Sequence, residues 1–149
     1  SYYAGGLGGS GHTAYVGLHE IGNIQAGDTV LVKLVALMSE QVRSSDIVAR
    51  YGGEEFAIIL PDTGIQLAHE VAERIRSLVE QQKLVIDGNT LSTTVSIGLA
   101  SLRQLRHQTD INETDPLHLD KMLLRKADEA LYQAKQTGRN QVVIKKIAS

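Results

Sequence analysis

Two carboxylates, Glu54 and Glu55, follow two glycines, Gly52 and Gly53, between the apolar runs Ile47–Tyr51 and Phe56–Leu60. Double glycine permits positive φ, so the runs can close a tight hairpin with the acids at its tip. Neighbouring side chains on a strand face opposite sides, so the two acids can serve different partners. Bare backbone beside a carboxylate leaves room for a bulky ligand and a divalent cation. Mg²⁺ is held by one or two protein carboxylates with phosphate oxygens and water. Taken alone, the pair reads more simply as solvated acids at a turn. A second pattern lies near the C-terminus, where no acid follows Glu129 while Lys135, Arg139, Lys145 and Lys146 remain. Such a segment suits a small anion such as a polyphosphate; a solvated tail, or charge compensation at a helix C-terminus, accounts for it too. Third, Arg43-Ser44-Ser45-Asp46 begins nine positions before Gly52. Its plain account is an i,i+3 ion pair at a helix end, worth only ~0.2–0.5 kcal/mol.

The elements that must position these groups fit one domain, since 149 residues fall in the usual single-domain range. Hydrophobic residues are 42% and charged residues 21%, a globular mixture that argues against disorder. A net charge of −2 gives no positive field for a nucleic acid polymer or an anionic membrane. With no cysteine, disulfides, cysteine zinc sites and thiol catalysis are excluded. Neither a long apolar run nor a signal-peptide pattern is evident, which predicts a soluble intracellular domain.

Residues 1–13 read as a glycine-rich lead-in, and Ala14–Leu18 as a short buried strand. Asp28 reads as the N-cap of a helix from Thr29 to about Val42. Asp46–Tyr51 and Phe56–Leu60 are the hairpin strands, with Gly52–Glu55 as the turn. A helix over about Ile65–Gln82 follows, then a second hairpin of Leu84–Ile86 with Leu91–Leu99. Residues 103–116 look irregular. A helix over about Leu117–Gln136 is stopped by Gly138, before a strand at Val142–Ile144. Helices and hairpins mixed around one sheet predict a mixed α/β or α+β domain.

The full string from Asp46 to Thr63, with Gly-Gly-Glu-Glu-Phe at its centre, resembles the signature hairpin of the GGDEF family, the diguanylate cyclase domains. Ala72-Glu-Arg-Ile-Arg76 is similar to the family's next helix, and Thr94-Val-Ser-Ile-Gly98 to its central strand. Ala127-Asp-Glu-Ala-Leu-Tyr-Gln-Ala-Lys135 with Gly138-Arg-Asn140 resembles its C-terminal helix and phosphate-contacting turn. The reading is one domain over 1–149: residues 1–25 are an atypical lead-in and first strand, and 26–149 follow the family. The resemblance implies a nucleotidyl cyclase-like, palm-like fold with a mostly antiparallel sheet flanked by helices. It implies condensation of two GTP into cyclic di-GMP with release of pyrophosphate, in a cytoplasmic homodimer that depends on Mg²⁺ or Mn²⁺. It also implies an upstream sensory domain in a longer protein, which a membrane segment could anchor.

By the same resemblance, Glu54 is the metal ligand and a candidate base, and Glu55 its partner in the catalytic site. Gly52 and Gly53 admit the nucleotide, Lys135 and Arg139 hold the terminal phosphates, and Asp28 reads the guanine N–H edge. Arg43, Asp46 and Arg74 match the family's inhibitory product site, where an arginine grips cyclic di-GMP and the aspartate accepts from guanine.

The first strand departs from the pattern. Members end it in Asp-x-Asp and continue with a guanine-binding asparagine. Here the chain reads Tyr15-Val-Gly-Leu-His-Glu-Ile-Gly-Asn23, with His19 or Glu20 nearest the aspartate's place and about ten residues of the pattern missing before Ile24. A domain that binds GTP or cyclic di-GMP as a sensor, without turnover, therefore stands as the alternative.

Overall fold

Alternation along the central strands decides which helices cover which face of the sheet. The structure, a computed structural model, describes residues 14–19, 27–52, 54–106 and 116–145. Its elements in chain order are β1 (Ala14–His19), α1 (Gly27–Ser39), β2 (Ile47–Gly52), β3 (Glu55–Leu60) and α2 (Ile65–Gln81). After these come β4 (Lys83–Ile86), β5 (Asn89–Ser92), β6 (Ser96–Ser101), α3 (Leu102–Arg106), α4 (Pro116–Gln136) and β7 (Val142–Ile144). Five strands form one sheet in the order β2-β3-β1-β6-β7, and β4 and β5 form a separate ribbon. Within the five-stranded sheet every pairing is antiparallel except β6 with β7. The mixed, mostly antiparallel architecture expected from the sequence is the one found.

On one face, Phe56, Ile58 and Leu60 of β3 join Ile97 and Leu99 of β6 in a buried core. Leu34 and Met38 of α1 and Ala68, Ala72, Ile75 and Val79 of α2 complete it. The α2 positions recur every three or four residues, which puts them on one helical stripe. On the opposite face, Ala57 and Ala100 pack with Leu102 and Leu105 of α3 and with Leu123 and Ala127 of α4. Every residue of β6 is buried, as a strand covered on both faces must be.

Small residues let α4 come close. Ala57, Gly17 and Gly98 stand in register across β3, β1 and β6. A Cβ on Gly98 would lie inside contact distance of the Ala127 carbonyl oxygen and the Leu131 nitrogen, and 2.8 Å from the Leu131 Cα. These are backbone atoms, which cannot rotate aside.

Four sequence expectations need correction. First, α1 begins at Gly27, so Asp28 lies inside its first turn and is not an N-cap; it also ends at Ser39, not near Val42. There the Gln41 N–H reaches back only three residues, to the Met38 carbonyl at 3.0 Å, and the helix tightens into a turn. Second, the single strand expected over Leu91–Leu99 is two strands in two sheets. Ser92 pairs with Lys83, the first residue of β4, and α2 ends just before it at Gln81, so the ribbon has no partner left beyond Ser92. Third, the irregular stretch expected over 103–116 opens with α3, held by Leu102 and Leu105 at helical spacing. Fourth, Gly52 and Glu55 are strand residues, and β2 starts at Ile47, not Asp46.

Gly98→Ala should force α4 off the sheet, costing ~3 kcal/mol or more and lowering Tm by on the order of 10 °C. A thermal melt followed by circular dichroism checks this, with Gly64→Ala as the control, since a Cβ there meets nothing within 4 Å.

Candidate functional site

The β2–β3 hairpin carries an irregularity just before its tip. Arg50 pairs with Phe56, but the next pair is Gly52 with Glu55, so Tyr51 is one residue too many on β2. This is a β-bulge, which sharpens the local twist and re-aims the residues beyond it. The Tyr51 ring stays exposed. Glu54 is exposed at the turn, while Glu55 is half-buried as the first residue of β3. By alternation, Glu55 takes the α4 side of the strand, with Ala57 and Ile59. The two acids are thus divided between turn and strand. Gly53 and Glu20 lie outside the described residues.

Strand direction brings the other groups to the same end of the sheet. Leu18, near the end of β1, stands opposite Phe56 and Ile97, and His19 stands opposite Ser96. Because β7 runs parallel to β6, with Ile97 opposite Val142, the turn leading into β7 emerges at this end as well. The Asn140 N–H donates to Ser96 Oγ at 3.2 Å, and the Ile97 N–H donates to the Gln141 carbonyl at 2.9 Å. From β3 to β7 is three strand spacings, about 14 Å. The hairpin tip and the basic turn therefore flank the ends of β1 and β6.

The basic turn has an unusual backbone. Gly138 has φ 123°, Arg139 φ 58° and Asn140 φ 45°, three successive left-handed residues. Two of them are not glycine, a conformation that persists only where surroundings enforce it. The Arg139 N–H closes the end of α4 on the Ala134 carbonyl at 2.9 Å. Gln141 Nε2 donates to the same carbonyl at 2.9 Å and to Thr137 Oγ1 at 2.8 Å. Asn140 is tied to α2: its Oδ1 accepts from Arg76 Nη1 at 2.9 Å, and its Nδ2 donates to Glu80 Oε1 at 2.8 Å. Arg76 in turn pairs with Glu73 at 2.9 Å and with Glu80 at 2.8 Å. Hydrogen bonds from Arg76, and then from Asn140, hold the Glu80 carboxyl below its ordinary range. Bonds to Glu73 and Glu80 push the Arg76 guanidinium up. Lys135, half-buried in the last turn of α4, and Arg139, exposed, are carried by this one structure.

The remaining candidates gather elsewhere. Arg74 Nη2 donates to the Gln41 carbonyl at 2.8 Å, which brings it to the turn after α1 that carries Arg43 and Asp46. There Asp46 Oδ2 accepts from the Arg43 backbone N–H at 2.7 Å, and the Asp46 N–H donates to the Arg43 carbonyl at 3.0 Å. The carboxylate thus caps the turn rather than pairing with the Arg43 guanidinium, which corrects the simple ion-pair reading. Asp46 Oδ1 is buried with no hydrogen-bond partner. This turn precedes Ile47, at the end of β2 away from the hairpin tip. The structure therefore separates the sequence candidates into two groups. Asp28 belongs to neither on what is described, since its side chain lies outside the described set.

Sequence reasoning missed the roles of Glu73, Arg76, Glu80 and Asn140. Part of the signal was present: Glu73, Arg76 and Glu80 have i,i+3 and i,i+4 spacing on one helix face. The link to Asn140, 60 residues beyond Glu80, had none.

A carboxyl with a lowered folded pKa stabilises the fold above its unfolded value and loses that contribution as pH falls through the folded one. Glu80→Gln should accordingly lower Tm at neutral pH, and the gap from wild type should close as pH falls through and below the ordinary carboxylate range. Thermal melts across pH check this; a gap that persists in acid would contradict it.

Comparison with known proteins adds an independent line. The family model described as "Diguanylate cyclase, GGDEF domain" matches residues 22–141. Diguanylate cyclase A of Treponema denticola is 39% identical over 121 residues, 81% of this chain and 30% of that protein. The response regulator PleD of Caulobacter vibrioides is 39% identical over 119 residues, 78% of this chain and 24% of that protein. Among solved structures, the GGDEF domain of YfiN (TpbB) from Pseudomonas aeruginosa superposes with TM-score 0.74 at 29% identity, covering 92% of this chain and 84% of that one. The active GGEEF domain of a diguanylate cyclase from Vibrio cholerae gives TM-score 0.73 at 25% identity, covering 92% of this chain and 85% of that one. The chain spans about a quarter to a third of the length of these two curated relatives.

Proposed function

The chain belongs to the GGDEF family of diguanylate cyclase domains, and on that premise we propose that it condenses two molecules of GTP into cyclic di-GMP. One observation carries the reading: an acidic hairpin tip and a basic turn flank the same end of the sheet, across the ends of β1 and β6. A triphosphate lying there meets cations at one side and a metal-binding carboxylate at the other. In each of two steps, a 3′-hydroxyl gives up its proton to the Glu54 carboxylate, its oxygen bonds to the α-phosphorus of the other GTP, the bond from that phosphorus to the β-phosphate oxygen breaks, and pyrophosphate leaves. Each subunit holds one GTP, so two copies of the chain face each other.

Glu54 and Glu55 offer oxygen donors only, which suit Mg²⁺ or Mn²⁺. Among the described residues, no group of three or more His, Cys, Asp or Glu gathers to hold a metal. That donor set fits a hard cation that takes the rest of its shell from phosphate and water. Bound beside Glu54, such a cation would draw charge off the phosphates. Lys135 and Arg139 neutralise the terminal phosphates and steady the departing pyrophosphate. Gly52 and Gly53 leave space for the nucleotide, and Asp28 accepts from the guanine N–H edge. Among the described residues no helix is long and apolar enough to cross a membrane, and we assign the reaction to the cytoplasm, with a sensory domain upstream in the whole protein.

The turn of Arg43, Asp46 and Arg74 is the proposed product site. Its support is the spare buried oxygen of Asp46 and a guanidinium on Arg43 that has no partner among the described residues. A guanidinium and an accepting carboxylate suit the two kinds of edge on guanine.

With GTP and Mg²⁺, the chain should yield cyclic di-GMP on chromatography, and Glu54→Gln should cut the yield by ~100-fold or more with the fold intact. Unchanged turnover contradicts the role of Glu54; GTP binding without any product favours the sensor alternative. Arg43→Ala should weaken cyclic di-GMP about ten- to a hundredfold by isothermal titration and leave GTP affinity unchanged. Undiminished cyclic di-GMP affinity would remove the product site.

A further inference from the structure

Arg139 and Asn140 adopt positive φ without being glycine. Asparagine tolerates this region; arginine does so only when held there. The holding groups come from outside the turn. Arg76 Nη1 bridges Glu80 Oε2 and Asn140 Oδ1, Glu80 Oε1 takes the Asn140 amide, and Ser96 of β6 takes the Asn140 N–H. Glu73 fixes the other side of the guanidinium through Nε. All three α2 residues sit on a helix anchored by Ala68, Ala72, Ile75 and Val79, so the turn is fastened to a rigid body and not to another loop.

We propose that Arg76 and Glu80, acting through Asn140, are positioning residues that aim Arg139 at the terminal phosphates. The inference rests on the reading of Arg139 as a phosphate-binding cation. None of the three need touch the nucleotide. Their work is to keep the backbone of residue 139 left-handed before GTP arrives, so that no ordering is needed at binding. A misplacement of about 1 Å at such a contact can cost on the order of a hundredfold in rate.

The test is equilibrium binding, to the whole chain with Mg²⁺, of GTP in the form of its α,β-methylene analogue, which cannot turn over, and of GMP, which lacks the terminal phosphates. Arg139→Ala should weaken GTP about tenfold and leave GMP unchanged. Arg76→Gln and Asn140→Ala should each weaken GTP by roughly three- to tenfold, again sparing GMP. The Arg76→Gln/Arg139→Ala pair should bind GTP no worse than Arg139→Ala alone, because the first residue acts only through the second. Should Asn140→Ala fail to fold, Asn140→Gly keeps the positive φ while deleting the same side-chain bonds, and it should show the same selective loss.

If Arg76→Gln and Asn140→Ala lower Tm but leave the ratio of GTP to GMP affinity at its wild-type value, the network only supports the fold and the proposal is overturned. Additive losses in the double variant overturn it equally. If Arg139→Ala leaves GTP binding intact, the phosphate reading itself fails and takes the inference with it, a result distinct from the other two.

Discussion

The close approach of α4 to Gly98 is the constraint on which the rest of the structure depends. A helix backbone can lie this near a strand only where the strand has no side chain, as at Gly98, and the small residues Gly17 and Ala57 stand in register beside it on β1 and β3. Seating α4 at that depth sets where its last turn ends. From there follow the position of Lys135, the left-handed turn at Gly138–Asn140, and the entry of β7 beside β6. A larger residue at 98 would displace all of these together.

Strand direction then does what no single residue could. With β1 antiparallel to both neighbours and β7 parallel to β6, the end of β1 and the starts of β3, β6 and β7 fall on one side of the sheet. The acidic tip and the basic turn are far apart in the chain yet share that end. The Arg43–Asp46 turn, at the far end of β2, is kept away from it by the length of the strand. On α2, Arg74 and Arg76 stand two positions apart, one reaching the Gln41 turn and the other the Asn140 turn. The helix is thus a rigid spacer between the two groups of candidate residues.

Much of this was legible in the sequence wherever the signal is local. The hairpin declared itself through paired glycines between β-rich runs, and α2 and α4 through apolar spacing and, for α4, the glycine that stops it. Local signals failed where a partner decides the outcome. Nothing within Leu91–Leu99 says that Ser92 exhausts its partner in β4 while Ser96 starts pairing with β1. Leu102 and Leu105 were too short a pattern to outweigh their polar neighbours, although burial under α4 makes a helix of them. At the site, residue types pointed to Lys135 and Arg139, but their framework was hidden because Arg76 and Asn140 meet only after the chain has folded. Asp46 was legible as a chemical group and misread in its bonding, since a carboxylate three residues after an arginine can cap the backbone instead of pairing with the guanidinium.

The most direct measurement is a crystal structure of the chain with Mg²⁺ and a non-hydrolysable GTP analogue. The terminal phosphates should lie against Lys135 and Arg139, with the metal at Glu54 and the triphosphate crossing the ends of β1 and β6. Phosphates bound anywhere other than between the hairpin tip and the Gly138–Asn140 turn would contradict a catalytic site at this end of the sheet.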